Sequence, residues 1–299
     1  MPLRIGTRGS QLALFQAEKV RAMLEAKGFS SQVVPIVTAG DKGVLEHPPD
    51  LAVKGLYTKE IEDRLFSGDI DLAVHSLKDL AVVLPEGLVL GACPDRADPR
   101  DALVSRLRCD LAGLPAGSRI GTSSIRRRAA ILSHRDDLNV VEMRGNVPTR
   151  LRKVEEGEVD AVVLALAGLE RLQMNRDAVA LEIETVVPAP GQGAIAIEIR
   201  EGDTEVAVCV DEIDRPEIRV AVAAERAALE RLEGGCRAPI GAVTTNNSQG
   251  DMEMLVRVYA EDGSRFLTAR GLVDSGDPRA SGFALAEELL NQGAADLIP

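Results

Sequence analysis

Three kinds of residue cluster in this chain could do chemistry. Thr7-Arg8-Gly9-Ser10 and Thr122-Ser123-Ser124-Ile125-Arg126-Arg127 each lie where a strand pattern enters a helix pattern. Free backbone N–H groups and the helix dipole favour an anion at such a place. The hydroxyls add caps or donors, and arginine adds a planar fork suited to carboxylate or phosphate. Arginine in a first helical turn opposes the dipole, so helix stability does not explain Arg126 and Arg127. For either motif alone the alternative is a solvated face with an ordinary Ser cap. Two such motifs in corresponding places favour a shared anion site between two lobes. Met143-Arg144-Gly145 follows another strand pattern, with Arg150 in the next helix pattern, and Arg171 follows the run Ala161–Leu166. Open α/β sheets bind ligands at the carboxyl ends of their strands. Surface ion pairing is the alternative, and it covers Arg128 and Arg152.

Val74-His75-Ser76-Leu77-Lys78-Asp79 also closes a strand pattern. It offers a hydroxyl, a cation and a carboxylate; Asp79 could accept N–H groups or stabilise a developing cation. A turn Asp beside a surface Lys is the plainer reading. His75 reads as a packing or hydrogen-bonding residue. In Leu232-Glu233-Gly234-Gly235-Cys236-Arg237 the glycines favour an exposed loop, and Arg237 favours the thiolate. A buried, inert thiol is the alternative. Gly191-Gln192-Gly193-Ala194 superficially resembles a dinucleotide fingerprint, but Ile195, Ile197 and Ile199 alternate as a strand where that fingerprint needs a helix.

Composition narrows the function. The formal charge of -12 argues against binding nucleic acid or an anionic membrane, and 2% aromatic residues leave few stacking platforms. No apolar run could span a bilayer and no signal-peptide pattern opens the chain, which predicts a cytoplasmic protein. Four scattered cysteines without CxxC spacing predict neither a metal site nor a disulfide framework.

The elements that must position these residues repeat. Arg4-Ile5-Gly6-Thr7 recurs as Arg119-Ile120-Gly121-Thr122, and Gly68-Asp69-Ile70-Asp71 is echoed by Gly157-Glu158-Val159-Asp160. Each half reads strand, helix, strand, helix, strand, which predicts two related α/β lobes with parallel sheets. The last third reads as a helix from about 219 to 232, three strands near 240–245, 252–260 and 265–272, and a helix from about 280 to 292. That order predicts a small α+β domain. Hinges are expected at Ala97-Asp98-Pro99-Arg100 and Pro188-Ala189-Pro190-Gly191.

These motifs resemble those of the porphobilinogen deaminase (hydroxymethylbilane synthase) family, in order, across nearly the whole chain. The stretches concerned are Arg4–Ala13, Asp71–Asp79, Gly121–Arg127, Arg144–Arg150, Ala165–Leu172, Val187–Ala194 and Leu232–Ile240. The resemblance implies two lobes of the type II periplasmic-binding-protein kind and a third domain. Their bounds would be 1–97 with about 193–214, 98–192, and 215–299. It implies a transferase of tetrapyrrole (haem) biosynthesis, a cytoplasmic monomer, which condenses four porphobilinogens with loss of ammonia into hydroxymethylbilane. It implies a dipyrromethane cofactor bonded through Cys236 and held by Ser76, Lys78, Asp79, Thr122, Ser123, Ser124, Arg126, Arg127, Arg144 and Gly145. Substrate would meet Arg8, Ser10, Lys54, Arg144, Arg150, Arg171 and Gln192, and Asp79 would be catalytic. The family's Gly-Gly-Lys-Gly is Ala52-Val53-Lys54-Gly55 here, and Arg128 has no counterpart.

Two other classes share some of these features. A solute-binding module would have two lobes and an anion cleft but no modified cysteine. An unrelated anion-using transferase would have the arginines but no covalent pyrrole. The intact mass of the protein separates all three.

Overall fold

A computed structural model describes residues 1–38, 58–233 and 238–298; Lys54 and Cys236 lie outside the described residues. The chain divides into two compact units, Met1–Arg96 with Ala194–Arg219, and Ala97–Gly193 with Val220–Pro299.

The first unit contains β1 (Leu3–Arg8), α1 (Gln11–Ala26), β2 (Ser31–Ile36), α2 (Lys59–Phe66), β3 (Leu72–Ser76) and β4 (Leu88–Arg96). The second begins with β5 (Asp101–Ser105), β6 (Arg119–Gly121), α3 (Ile125–His134), β7 (Asn139–Val141), α4 (Val147–Glu155), β8 (Ala161–Ala165), α5 (Leu166–Arg171) and β9 (Ala178–Ala180). The chain then returns to the first unit with β10 (Ala194–Arg200) and α6 (Thr204–Asp211). It ends with α7 (Pro216–Arg231), β11 (Ile240–Asn246), β12 (Met252–Tyr259), β13 (Phe266–Leu272) and α8 (Pro278–Asn291).

The two lobe sheets share one strand order. The first runs β2-β1-β3-β10-β4 and the second β7-β6-β8-β5-β9. In each, the second strand pairs in parallel with both neighbours, and the fourth strand runs antiparallel to both of its own. The sheets are therefore mixed, not parallel as the strand–helix alternation suggests. A strand arriving by a long-range return is free of the crossover that makes consecutive strands parallel, and β10 returns after the whole of the second lobe.

The sequence echoes have a structural explanation. The Asp71 carboxylate accepts the Arg4 backbone N–H at 2.7 Å and meets its guanidinium at 2.6 Å. Asp160 accepts the Arg119 backbone N–H at 2.7 Å and meets its guanidinium at 3.4 Å. Each pair braces the start of a central strand to the start of its neighbour. Burial pushes the Asp71 carboxyl up, but its hydrogen bonds to Arg4 outweigh this and hold it below the ordinary range.

In α1, Ala17, Val20 and Leu24 recur at helical spacing, and they are buried against the first sheet. The third sheet, β11-β12-β13, is antiparallel throughout. Ala224 and Ala228 of α7, Leu285 and Leu289 of α8, and Met254, Val256 and Val258 of β12 form one core cluster. The expected fold class is observed: two α/β lobes and a small α+β part.

Candidate functional site

In the first unit, β1 ends at Arg8, and Ser10 caps α1 by accepting the Ala13 N–H at 3.3 Å. Beside it, β3 ends at Ser76 and turns into a single 3-10 turn, Leu77–Asp79. Arg8, Ser10, Ser76 and Asp79 line one hollow, together with Gln16 and Thr58. This is the carboxyl edge of the sheet, where the topology predicts a ligand. Asp79 is exposed and Lys78, in the same turn, is half-buried. Gln16 was not foreseen: its amide exchanges hydrogen bonds with the Ser76 hydroxyl, at 2.9 and 3.1 Å. Only its buried position within α1, beside Ala17 and Val20, could have signalled it.

In the second unit, β6 ends just before Thr122. The Thr122 hydroxyl accepts the Ser124 N–H at 3.2 Å, and the Ser124 hydroxyl caps α3 by accepting the Arg127 N–H at 3.3 Å. Arg150 donates from Nε to the Gly145 carbonyl at 2.7 Å and from Nη2 to the Ser123 hydroxyl at 3.3 Å. Gly145 takes φ +118°, a backbone angle that favours glycine. These bonds gather Thr122, Ser123, Ser124, Gly145 and Arg150 at the N-terminus of α3. Arg144 is exposed and engages Glu142 through Nε at 2.8 Å. Its Nη1 and Nη2 donors have no hydrogen-bond partner among the described residues.

The tertiary structure supplies an acid that sequence reasoning missed. Asp101, at 0% exposure, receives Arg126 Nη1 at 2.8 Å, Arg127 Nε at 3.1 Å and Arg127 Nη2 at 2.7 Å. Gln192 Nε2 joins it at 2.9 Å and also donates to the Pro99 carbonyl at 2.7 Å. Burial pushes the Asp101 carboxyl up, yet the two guanidinium charges hold it far below the ordinary carboxylate range. Arg126 further donates to the Val187 carbonyl, and Arg127 to the Val163 carbonyl. The two first-turn arginines expected to bind a ligand thus already bind a protein carboxylate. Two arginines against one aspartate still leave one net positive charge. Arg126 Nε and Nη2 have no hydrogen-bond partner among the described residues. Arg171, buried, donates to the Gly193 carbonyl at 2.7 Å. Asp101 carries no local signal because its partners lie 25 and more residues away.

This donor set fits a group bearing several carboxylates. A capped helix N-terminus, an arginine pair with surplus charge and the outward donors of Arg144 all attract anions. The first unit adds the opposite feature, the exposed carboxylate of Asp79, which attracts a cation. Among the described residues no helix is long and apolar enough to cross a membrane.

Comparison with known proteins agrees with this chemistry. Residues 3–208 match the family model of the porphobilinogen deaminase dipyrromethane cofactor-binding domain, and residues 220–291 match that of its C-terminal domain. A porphobilinogen deaminase of Syntrophotalea carbinolica is 48% identical over 98% of this chain and 93% of its own. That of Roseiflexus castenholzii is 45% identical, covering 99% of this chain and 98% of its own. That of Bacillus subtilis is 42% identical, covering 99% and 95%. Among solved structures, a putative methionine-binding lipoprotein of Bacillus subtilis overlaps 73% of this chain and 92% of its own, with 13% identity and a TM-score of 0.45. The nearly full-length relatives and both domain models agree: the chain belongs to the porphobilinogen deaminase family.

Proposed function

We propose which side chains run this family's reaction, the condensation of four porphobilinogens, with loss of ammonia, into hydroxymethylbilane on a dipyrromethane cofactor. Cys236 carries the cofactor through a thioether. When bound, the dipyrromethane supplies the nucleophilic pyrrole carbon on which the chain is built. Thr122, Ser123, Ser124, Arg126, Arg127, Arg144 and Gly145 hold its acetate and propionate groups, and Ser76, Lys78 and Asp79 face its rings. Arg8, Ser10, Lys54, Arg144, Arg150, Arg171 and Gln192 serve the incoming substrate. The three domains are those the resemblance implies, 1–97 with about 193–214, 98–192 and 215–299. The active form is a cytoplasmic monomer.

Asp79 is the catalytic group in this reading. The substrate's amino group leaves from its protonated, ammonium form, as ammonia that takes with it the electron pair of the C–N bond. The ring nitrogen then shares the positive charge left on the exocyclic carbon. A carboxylate beside that nitrogen stabilises the cation more than the neutral ring, which is what acceleration requires. Arginine would repel the same charge. The observation that carries this reading is the exposed Asp79 carboxylate in the hollow with Ser76, at the carboxyl edge of the first sheet. Intact-mass analysis tests the anchor: one dipyrromethane above the chain mass, localised to Cys236. Single-turnover formation of enzyme–substrate complexes tests Asp79. Asp79→Asn should keep the cofactor and lose most turnover, and Asp79→Glu should retain more of it. Equal elongation rates for Asn and wild type would leave Asp79 a turn residue.

A further inference from the structure

We infer that the buried pair His75–Glu198 is a positioning element for the Ser76–Asp79 turn. The inference rests on the proposed role of Asp79. His75 on β3 and Glu198 on β10 lie diagonally across an antiparallel ladder, with His75 opposite Ala196 and Glu198 opposite Ala73. Nε2 of the ring is 3.1 Å from Oε2 of the carboxylate, and the two side chains are 5% and 0% exposed. The pair sits at the end of β3, one residue before Ser76 and four before Asp79.

Packing alone does not account for this pair. The core cluster around Ala73, just beside it, is Ile36, Ile61, Leu65, Ile70 and Leu88. Two aliphatic residues would fill such a place at lower cost, because buried polar groups lose their hydration and need every hydrogen bond to offset it. Moreover, Glu198 Oε1 is buried with no hydrogen-bond partner among the described residues. A second acid, Glu62 of α2, is also buried there; burial pushes its carboxyl up, and Glu198 adds to the effect. Glu62 thus feels both carboxylate and ring: Glu198 pushes its carboxyl up, while the Thr58 hydroxyl and His75 pull it down. Fixed direction does explain the bond. The ring is anchored to the neighbouring strand through one nitrogen, while the residue itself forms part of the wall of the hollow that holds Ser76 and Asp79. Anchoring the last rungs of the β3–β10 ladder fixes where the next turn begins, and so where the Asp79 carboxylate points. Catalytic groups tolerate little misplacement.

The test separates positioning from stability. In His75→Phe/Glu198→Leu, both polar groups are replaced by hydrocarbon. A purely structural pair would then be dispensable: the folded holoenzyme, checked by intact mass, would turn over at the wild-type rate. Positioning requires kcat to fall at least tenfold with KM within threefold, in enzyme as resistant to denaturant as wild type. Glu198→Gln keeps shape and one hydrogen bond, and is expected to retain kcat within threefold. A tenfold loss in folded Glu198→Gln would assign the effect to charge and overturn positioning. Wild-type enzyme that makes no tetrapyrrole in the same assay would instead overturn the proposed function.

Discussion

Replacing Asp101 by Asn is the sharpest test of the arginine site. The substitution keeps the shape and one carbonyl acceptor but removes the only negative charge among those contacts. Arg126 and Arg127, with side chains 5% and 8% exposed, are then left as neighbouring buried cations. Arginine cannot escape by losing its proton. Removing one partner of a buried ion pair costs about 3–5 kcal/mol, and the acceptor that Asn retains points to the lower end. That is a large part of the roughly 5–15 kcal/mol that holds a domain folded. The pH dependence follows from the depressed Asp101 carboxyl. A group whose folded pKa lies below its unfolded one stabilises fully above the unfolded value, about 3.9 for Asp, and loses that contribution as pH falls toward the folded value. The gap between wild type and variant should therefore be constant from pH 7 to about 5 and narrow only below about 4. Denaturant titrations followed by circular dichroism at several pH values measure it. The surviving folded enzyme should hold the carboxylates of the dipyrromethane less firmly, because the forks of Arg126 and Arg127 lose their common anchor. A variant as stable as wild type at pH 7 would refute the reasoning, as would a gap that widens on acidification.

Other outcomes are expected from single sites. Cys236→Ser should fold but carry no thioether-linked dipyrromethane, read as chain mass alone after denaturation. Arg144→Leu should weaken substrate binding by about 1.5–3 kcal/mol, the value of a charge-assisted hydrogen bond, with no loss of stability because the residue is exposed; a KM equal to wild type would remove Arg144 from the site. Gly193→Ala should lower stability by about 1–3 kcal/mol in the same titration, since Gly193 takes φ +86° and an added Cβ would overlap the Ala97 carbonyl oxygen.

Much of this fold was legible because its signals are local. Ser10 and Ser124 cap helices within three residues of themselves, and both caps are observed. The apolar stripe of α1 and the alternation of Ile195, Ile197 and Ile199 have the periods of their elements. The echo of Arg4 and Asp71 in Arg119 and Asp160 was visible as a repeat, but its meaning was not. At Arg4 and Asp71, and again at Arg119 and Asp160, the repeat marks a brace between neighbouring strands.

The candidate site divides along the same line. Residue type and position at a strand end sufficed to nominate Arg8, Ser76, Asp79, Thr122 and Arg144, because a turn at the carboxyl edge of a sheet is a local event. What those residues touch was decided only by tertiary structure. Asp101 meets Arg126, Arg127 and Gln192 across 25, 26 and 91 residues, Gln16 meets Ser76 across 60, and His75 meets Glu198 across 123. Nothing in a linear pattern encodes which buried acid will face which buried base. That is settled when strands distant in sequence are placed side by side, as when β10 returns to insert antiparallel into the first sheet, because a buried charge must then find its partner among whatever side chains the strand order brings beside it.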